Sequence, residues 1–233
     1  LDDLDFKCSA MYFEKALALI PEENVERRSD CLNDLSISYA REGLYSQALT
    51  AATQTVHLDE QLNDKERLMY SLNNLGGIYM MAKQTEKARK YILRSLELAR
   101  ELNDSIRIAV RLGSLAEQAQ YDGNYDLALK YAYEAFVLDS LRGDEMKMAV
   151  RQVQMANALT KTGDLTRADE LMKAANPILS DGGNFVSLAI CLNQQGYVAY
   201  CNGQWKQAAD YYSAAYAIYD RTGDRHSKLT TLW

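Results

Sequence analysis

The chain repeats itself every 40 residues, and this register dictates how it folds. A glycine or loop position recurs as Gly43, Lys83, Gly123, Gly163 and Gly203, and an alanine follows five residues later at Ala48, Ala88, Ala128, Ala168 and Ala208. Only two prolines occur, Pro21 and Pro177, and the apolar positions follow a helical period, so the class is all-α. A helical hairpin of this size cannot bury its apolar face alone. Copies therefore stack, each supplying a wall to the next. The expected architecture is a single right-handed α-solenoid domain over residues 1–233. It holds a half-hairpin at 1–21, five hairpins at about 24–63, 64–103, 104–143, 144–183 and 184–223, and the start of a sixth at 224–233.

Aligning the copies separates small positions from large ones. The first helix of each hairpin carries Leu35, Leu75, Leu115, Met155 and Gln195, followed at once by Ser36, Gly76, Ala116, Ala156 and Gly196. In the second helix, seven residues past the alanine, stand Thr55, Ser95, Ala135, Ala175 and Ala215. Small side chains facing each other let helices approach to about 8 Å. Ile92, Met172 and Tyr212 on the second helix, and Tyr45, Tyr125, Leu165 and Trp205 beside the loop, are expected to fill the spaces between. Most of the sixteen tyrosines are read as hairpin or inter-repeat packing. Between copies recur Asn63-Asp64, Asn103-Asp104, Gly143-Asp144, Gly183-Asn184 and Gly223-Asp224. The first residue of each pair suits a left-handed helix end, and the second caps the next helix. Pro177 is expected to shorten its helix ahead of the Asp181–Asn184 loop.

Charge and cysteine usage narrow the partners. The net charge is −6 and the pI about 5.1, an acidic balance that repels phosphate backbones and disfavours nucleic acid as a ligand. No run of 18 apolar residues is present, so nothing here is expected to insert into a membrane. Cys8, Cys31, Cys191 and Cys201 lack metal spacing. Cys191 and Cys201 are about 15 Å apart along one helix, beyond the ~7 Å a disulfide spans, while a Cys8–Cys31 bridge stays open. Reduced thiols favour a cytoplasmic setting over a periplasmic one, which would need an upstream leader. Neither end reads as a polar cap, so the chain is expected to be a piece of a larger protein.

The stretch Leu75-Gly76-x-x-Tyr79 followed by Ala88 resembles the tetratricopeptide repeat. That repeat usually spans about 34 residues; the longer period resembles kinesin light chains, Rap-type peptide-sensing regulators and repeat-bearing bacterial sensor kinases or transcriptional regulators. The resemblance implies a non-catalytic array whose first helices line a concave face that binds a peptide or protein segment.

On that face the register places Asn33-Asp34, Asn73-Asn74, Gly113-Ser114, Val153-Gln154 and Asn193-Gln194, with Ile37, Gly77, Glu117, Asn157 and Tyr197 one turn on. Carboxamides both donate and accept. Spaced roughly 10 Å apart on neighbouring repeats, they match about three residues of an extended chain at ~3.3 Å each. The candidate ligand-binding set is therefore Asn33, Asn73, Asn74, Glu117, Gln154, Asn157, Asn193, Gln194 and Tyr197. Tyr70, Met80, Met81, Tyr121 and Tyr200 are read first as packing residues and second as apolar contacts. A basic clamp for a C-terminal carboxylate is not expected, because Asp30, Asn33, Asn74, Val110 and Ser114 occupy the corresponding positions. His57 and His226 sit in no triad or metal pattern, and no glycine-rich phosphate loop is present. No catalysis, cofactor or metal is expected. The leading function is the sensory or regulatory segment of a bacterial regulator, with a scaffold joining two partners as the alternative.

Overall fold

The computed structural model describes residues 3–222, with side chains from residue 9 onward. The sixth first helix expected from Asp224, with His226 and the Gly223-Asp224 pair, lies outside the described residues, as does the Cys8 side chain. Eleven helices follow one another among the described residues: α1 (Asp3–Leu19), α2 (Val25–Arg41), α3 (Tyr45–Leu62), α4 (Lys65–Met81), α5 (Thr85–Glu101), α6 (Ser105–Tyr121), α7 (Tyr125–Leu141), α8 (Glu145–Thr162), α9 (Leu165–Asp181), α10 (Phe185–Cys201) and α11 (Trp205–Thr222).

The helices gather into two compact units, Leu1–Gln118 and Ala119–Trp233. In the first unit α2 packs on α3 and α4 on α5, α1 packs on α2, and α2 also touches α4 directly. In the second, α8 packs on α9 and α10 on α11, with α8 against α10. Each unit is thus a stack of helical hairpins whose even-numbered first helices form one layer and odd-numbered second helices the other.

The small positions explain this packing. Ala48, Ala88, Ala128 and Ala168 have no exposed surface, and Ser36, Ser95, Ala116, Ala135, Ala156, Ala175 and Ala215 are equally buried. Larger apolar side chains, Leu72, Leu75, Ile92, Met172 and Leu179 among them, fill the core between these contacts. Burying each of them is worth roughly 1.5–3 kcal/mol.

Two adjacent glycines in α4 test how close the contact is. A Cβ at Gly76 would lie 2.6 Å from Ile92 Cγ1 and 3.2 Å from the Ala88 carbonyl, whereas one at Gly77 meets nothing within 4 Å. Gly77→Ala is expected to raise stability by about 0.5–1 kcal/mol through helix propensity. Gly76→Ala, given the same propensity gain, is expected to lower it by about 1–3 kcal/mol through overpacking. Urea unfolding of the two single variants checks the opposite signs.

The punctuation between copies behaves as read. Asn63, Asn103, Gly143 and Gly183 adopt positive φ. Asp64 accepts from the Glu66 and Arg67 amides at 2.9 and 3.1 Å, Asp104 from Arg107 at 2.9 Å, and Asp144 from Lys147 at 2.9 Å. Within hairpins the turn residue is Gly43, Gly123, Gly163 or Gly203, all at positive φ, and Lys83 takes the same conformation at φ 58°.

Two expectations need correcting. Pro177 does not shorten α9, which continues to Asp181. A proline removes one intrahelical bond, but buried Ala175 and Leu179 on either side anchor this turn to the core. Trp205 does not fill an inter-helix space. It is 63% exposed, edge-on to Tyr200 with ring centroids 5.1 Å apart. Many tyrosines do pack as expected, at the border of the core. Tyr219 is fully buried, Tyr39, Tyr79 and Tyr91 pack on the core of the first unit, Tyr125 packs beside Ala128 and the Tyr212 ring lies against Gly196, while Tyr70, Tyr121, Tyr197 and Tyr200 are exposed. A phenol ring is apolar on its faces and polar at its tip, so it suits such a border.

Cys31 is a free buried thiol, its Sγ 3.3 Å from the Phe13 carbonyl. Cys191 is also free and buried, and desolvation pushes its thiol up to about 12. No helix among the described residues is long and apolar enough to cross a membrane.

Candidate functional site

The 40-residue register sets the side-chain amides at equivalent positions of successive first helices. Some of these amides are already engaged. Asn74 Nδ2 donates to Asn33 Oδ1 at 2.8 Å, tying α4 to α2. In the second unit Asn157 Nδ2 donates to Gln120 Oε1 at 3.2 Å, and Gln120 Nε2 donates to the Gln154 carbonyl at 2.8 Å. Gln154 itself is buried, its Oε1 accepting from Arg151 Nη1 at 3.1 Å.

Two others differ. Asn73 and Asn193 occupy the same position in copies three repeats apart, and in each the Oδ1 is buried without a hydrogen-bond partner. Leaving a buried acceptor unpaired costs about 1–3 kcal/mol. Open surface adjoins both. One turn after Asn73 stands Gly77, beside which there is space for a side chain. One turn after Asn193 stands Tyr197, exposed, as is Glu117 at the equivalent place in α6. Gln194 is half-buried. The exposed Met81, Tyr121, Tyr197 and Tyr200 are free to make apolar contact, whereas Met80 is half-buried.

Beside the amides of the first unit lies a cleft of about 400 Å³, lined by residues of α2, α3 and α4 together with the Asp64 cap. Asp59, only 3% exposed, forms its floor. Its Oδ1 accepts from the Ser29 hydroxyl and lies 3.4 Å from Arg67 Nε. Arg67 also donates to Asp30 and, at 3.2 Å, to the Glu26 carbonyl. Burial opposes the Arg67 charge, but hydrogen bonds and attraction from Asp30 and Asp59 outweigh it and hold the pKa above its ordinary value. Asp64 and Glu66 complete an acidic rim.

The same region of the next repeat is closed. Arg107 bonds Tyr70 Oη from Nε at 2.6 Å, reaches Glu66 at 2.7 Å and pairs with Asp104. The Arg107 backbone amide, then its side chain, hold the Asp104 carboxyl below the usual range. Arg111, 3% exposed, projects inward to bond Ser95 Oγ at 2.8 Å, and one of its terminal nitrogens is buried without a partner. Desolvation pulls its pKa down to about 10. In the second unit Arg151, also buried, lies 3.1 Å from Asp139 Oδ2, while Arg142 takes Oδ1 of the same carboxylate.

Sequence reading missed this ionic layer. Arg67 and Arg107 project from consecutive first helices one turn before the positions weighed for a carboxylate clamp. Both are held by the protein's own acids. The signal was present in the register, since Asp59 and Asp139 stand two periods apart and Arg111 and Arg151 one.

Residues 67–139 match the tetratricopeptide repeat family. No curated protein matches the chain by sequence. Solved structures share its fold. A putative kinesin light chain repeat protein of Podosopora anserina is 18% identical with a TM-score of 0.68, over 88% of this chain and all (100%) of that one. A signal-transduction ATPase with a tetratricopeptide repeat sensor from Pyrococcus horikoshii is 14% identical with a TM-score of 0.77, covering 97% of this chain and 38% of that one. A Rap protein complexed with Competence and Sporulation Factor is 14% identical with a TM-score of 0.70, covering 98% and 68%.

Proposed function

We propose that this chain, which is built of tetratricopeptide repeats, is a non-catalytic module that holds an extended peptide segment on its first helices and serves as the sensory or regulatory part of a larger regulator. The observation that carries this reading is the pair of buried, partnerless amide oxygens at Asn73 and Asn193. Each is an acceptor already removed from water on a residue that is itself only half-buried, so a turn of the side-chain amide would present it to a ligand backbone N–H. Most of the desolvation cost is thus met before binding, so the hydrogen bond formed there is nearly all gain. Asn33, Asn74, Gln154 and Asn157, bonded within the protein, shape the surface, while Glu117, Gln194 and Tyr197 offer side contacts. The regulatory context is supported by likeness in fold to a repeat sensor and to a Rap protein solved with a signalling factor.

The test exploits opposite signs. A random dodecapeptide library is selected on the purified chain, and a selected peptide is synthesised and titrated by calorimetry. Asn73→Ala is expected to weaken that peptide about 2–13-fold, the equivalent of a net hydrogen bond of about 0.5–1.5 kcal/mol. The same variant should melt at or above the wild-type temperature, because it deletes an unsatisfied buried acceptor. Asn193→Ala should behave alike for peptides seated on α8 and α10. Unchanged affinity in both variants would make these amides bystanders.

A further inference from the structure

The stack contains its own controls, because equivalent clefts can be compared 40 residues apart. Take the position of Ser71 on α4. The corresponding residues on α6 and α8 are Arg111 and Arg151, and each sends its guanidinium back between its helix and the preceding hairpin. Arg111 reaches Ser95 at 2.8 Å, and Ser95 is the equivalent of Thr55. Arg151 reaches Asp139 at 3.1 Å, and Asp139 is the equivalent of Asp59. Thr55, Asp59 and Ser71 all line the cleft of about 400 Å³ in the first unit.

That first gap therefore has both acceptors that hold a guanidinium elsewhere, and a serine where the guanidinium would originate. Neither filled gap has both acceptors. The second has Ser95 but Ala99 in place of the acid, and the third has Asp139 but Ala135 in place of the hydroxyl. Asp59 is also half-used. Ser29 and Arg67 both address its Oδ1, and no bond to Oδ2 is made among the described residues. By contrast Asp139 spends one oxygen on Arg142 and the other on Arg151. Around the cleft four carboxylates, Asp30, Asp59, Asp64 and Glu66, meet Arg67 from within and, at Glu66 on the rim, Arg107. A lone acidic patch on a surface would simply be hydrated. A buried carboxylate with an open oxygen, at the base of a cavity that a neighbouring repeat fills with arginine, is a different case.

We propose that the Asp59 cleft is a receptor for a cationic side chain, arginine or lysine, carried by the bound peptide. The incoming group takes the place that Arg111 and Arg151 occupy in later repeats. It pairs with Asp59 Oδ2 and passes Thr55, while its methylene stem lies along the wall formed by Tyr70 and Ser71. A guanidinium fits this geometry best, being planar and able to donate to both acceptors at once. That the cation arrives on a peptide rests on the function proposed above, but the chemistry of the cleft does not.

The probes are N-acetyl-arginine methylamide and its neutral isostere, N-acetyl-citrulline methylamide, titrated into the 15N-labelled chain while the Ser29, Asp59 and Ser71 amide signals are followed. Saturable shifts are expected with the arginine probe, at least tenfold weaker ones with citrulline, and loss of the response in Asp59→Asn. The decisive variant is Ser71→Arg, which supplies the cation from within. It should fold, melt at or above wild type, and abolish the arginine response. Equal responses to both probes, or a Ser71→Arg protein that still binds the arginine probe as wild type does, would overturn the proposal. The dodecapeptide selection separates it from the broader reading. Selected binders without an enriched basic position would refute the cation site and leave peptide binding standing. Failure to select any binder, with the arginine probe still titrating, would refute peptide binding and uphold the cleft.

Discussion

Asp139→Ala is expected to cost the protein about 3–5 kcal/mol of stability, the largest loss of any single polar substitution considered. Asp139 is 1% exposed and holds two guanidiniums, one on each oxygen. Removing it strands positive charge in the interior beside Gln154, whose single amide oxygen is a weak substitute. Adding Arg151→Met should recover most of the loss, because a buried ion pair replaced by apolar atoms of similar volume is often neutral. Arg111→Met is the informative contrast. Arg111 has no carboxylate at the equivalent place, since Ala99 stands there, and one of its nitrogens has no partner. Its replacement should leave stability unchanged or raise it, by up to about 2 kcal/mol. Denaturant melts of these four proteins read the pattern. A loss for Arg111→Met as large as that for Asp139→Ala would mean that the unpaired nitrogen is satisfied in solution.

The second large effect concerns the alanine that recurs after each hairpin turn. Ala128→Leu is expected to destabilise by about 1–3 kcal/mol. Ala128 has no exposed surface and packs with Ala119 and Ala158, so α6, α7 and α8 meet through three methyl groups. Three extra heavy atoms cannot enter without driving these helices apart, which would also disturb the Gln120 bonds to Asn157 and the Gln154 carbonyl. Thermal melting gives the size, and loss of slow amide exchange in residues 119–160 would locate it. A wild-type melt would show that the contact is looser than described.

These alanines are also why so much of the fold was readable from sequence. A position that must be small in every copy because two backbones meet there leaves a mark at fixed spacing, and Ala48 through Ala208 carry it. The caps are equally local, since Asp64 or Asp144 acts on amides two or three residues away. The ionic layer is not local. Whether Arg111 has a counter-ion depends on which residue of the preceding second helix faces it, and that residue changes from Asp59 to Ala99 to Asp139. Acid and base are also offset by one copy, so a full pair occurs at Asp139 and Arg151 and not at its neighbours. Pro177 misled for the opposite reason. Its local preference pointed to a helix end, and the tertiary contacts of Ala175 and Leu179 overrode it.

The central proposal is that the layer of first helices, and not that of the second helices, is the recognition surface. A photoreactive phenylalanine analogue at position 77, in the open space beside Asn73, or at position 90, on the exposed side of α5, tests it directly with a selected dodecapeptide. Crosslinking at 77, suppressed by unlabelled peptide and absent at 90, is the predicted result. Competable crosslinking at 90 with none at 77 would contradict it.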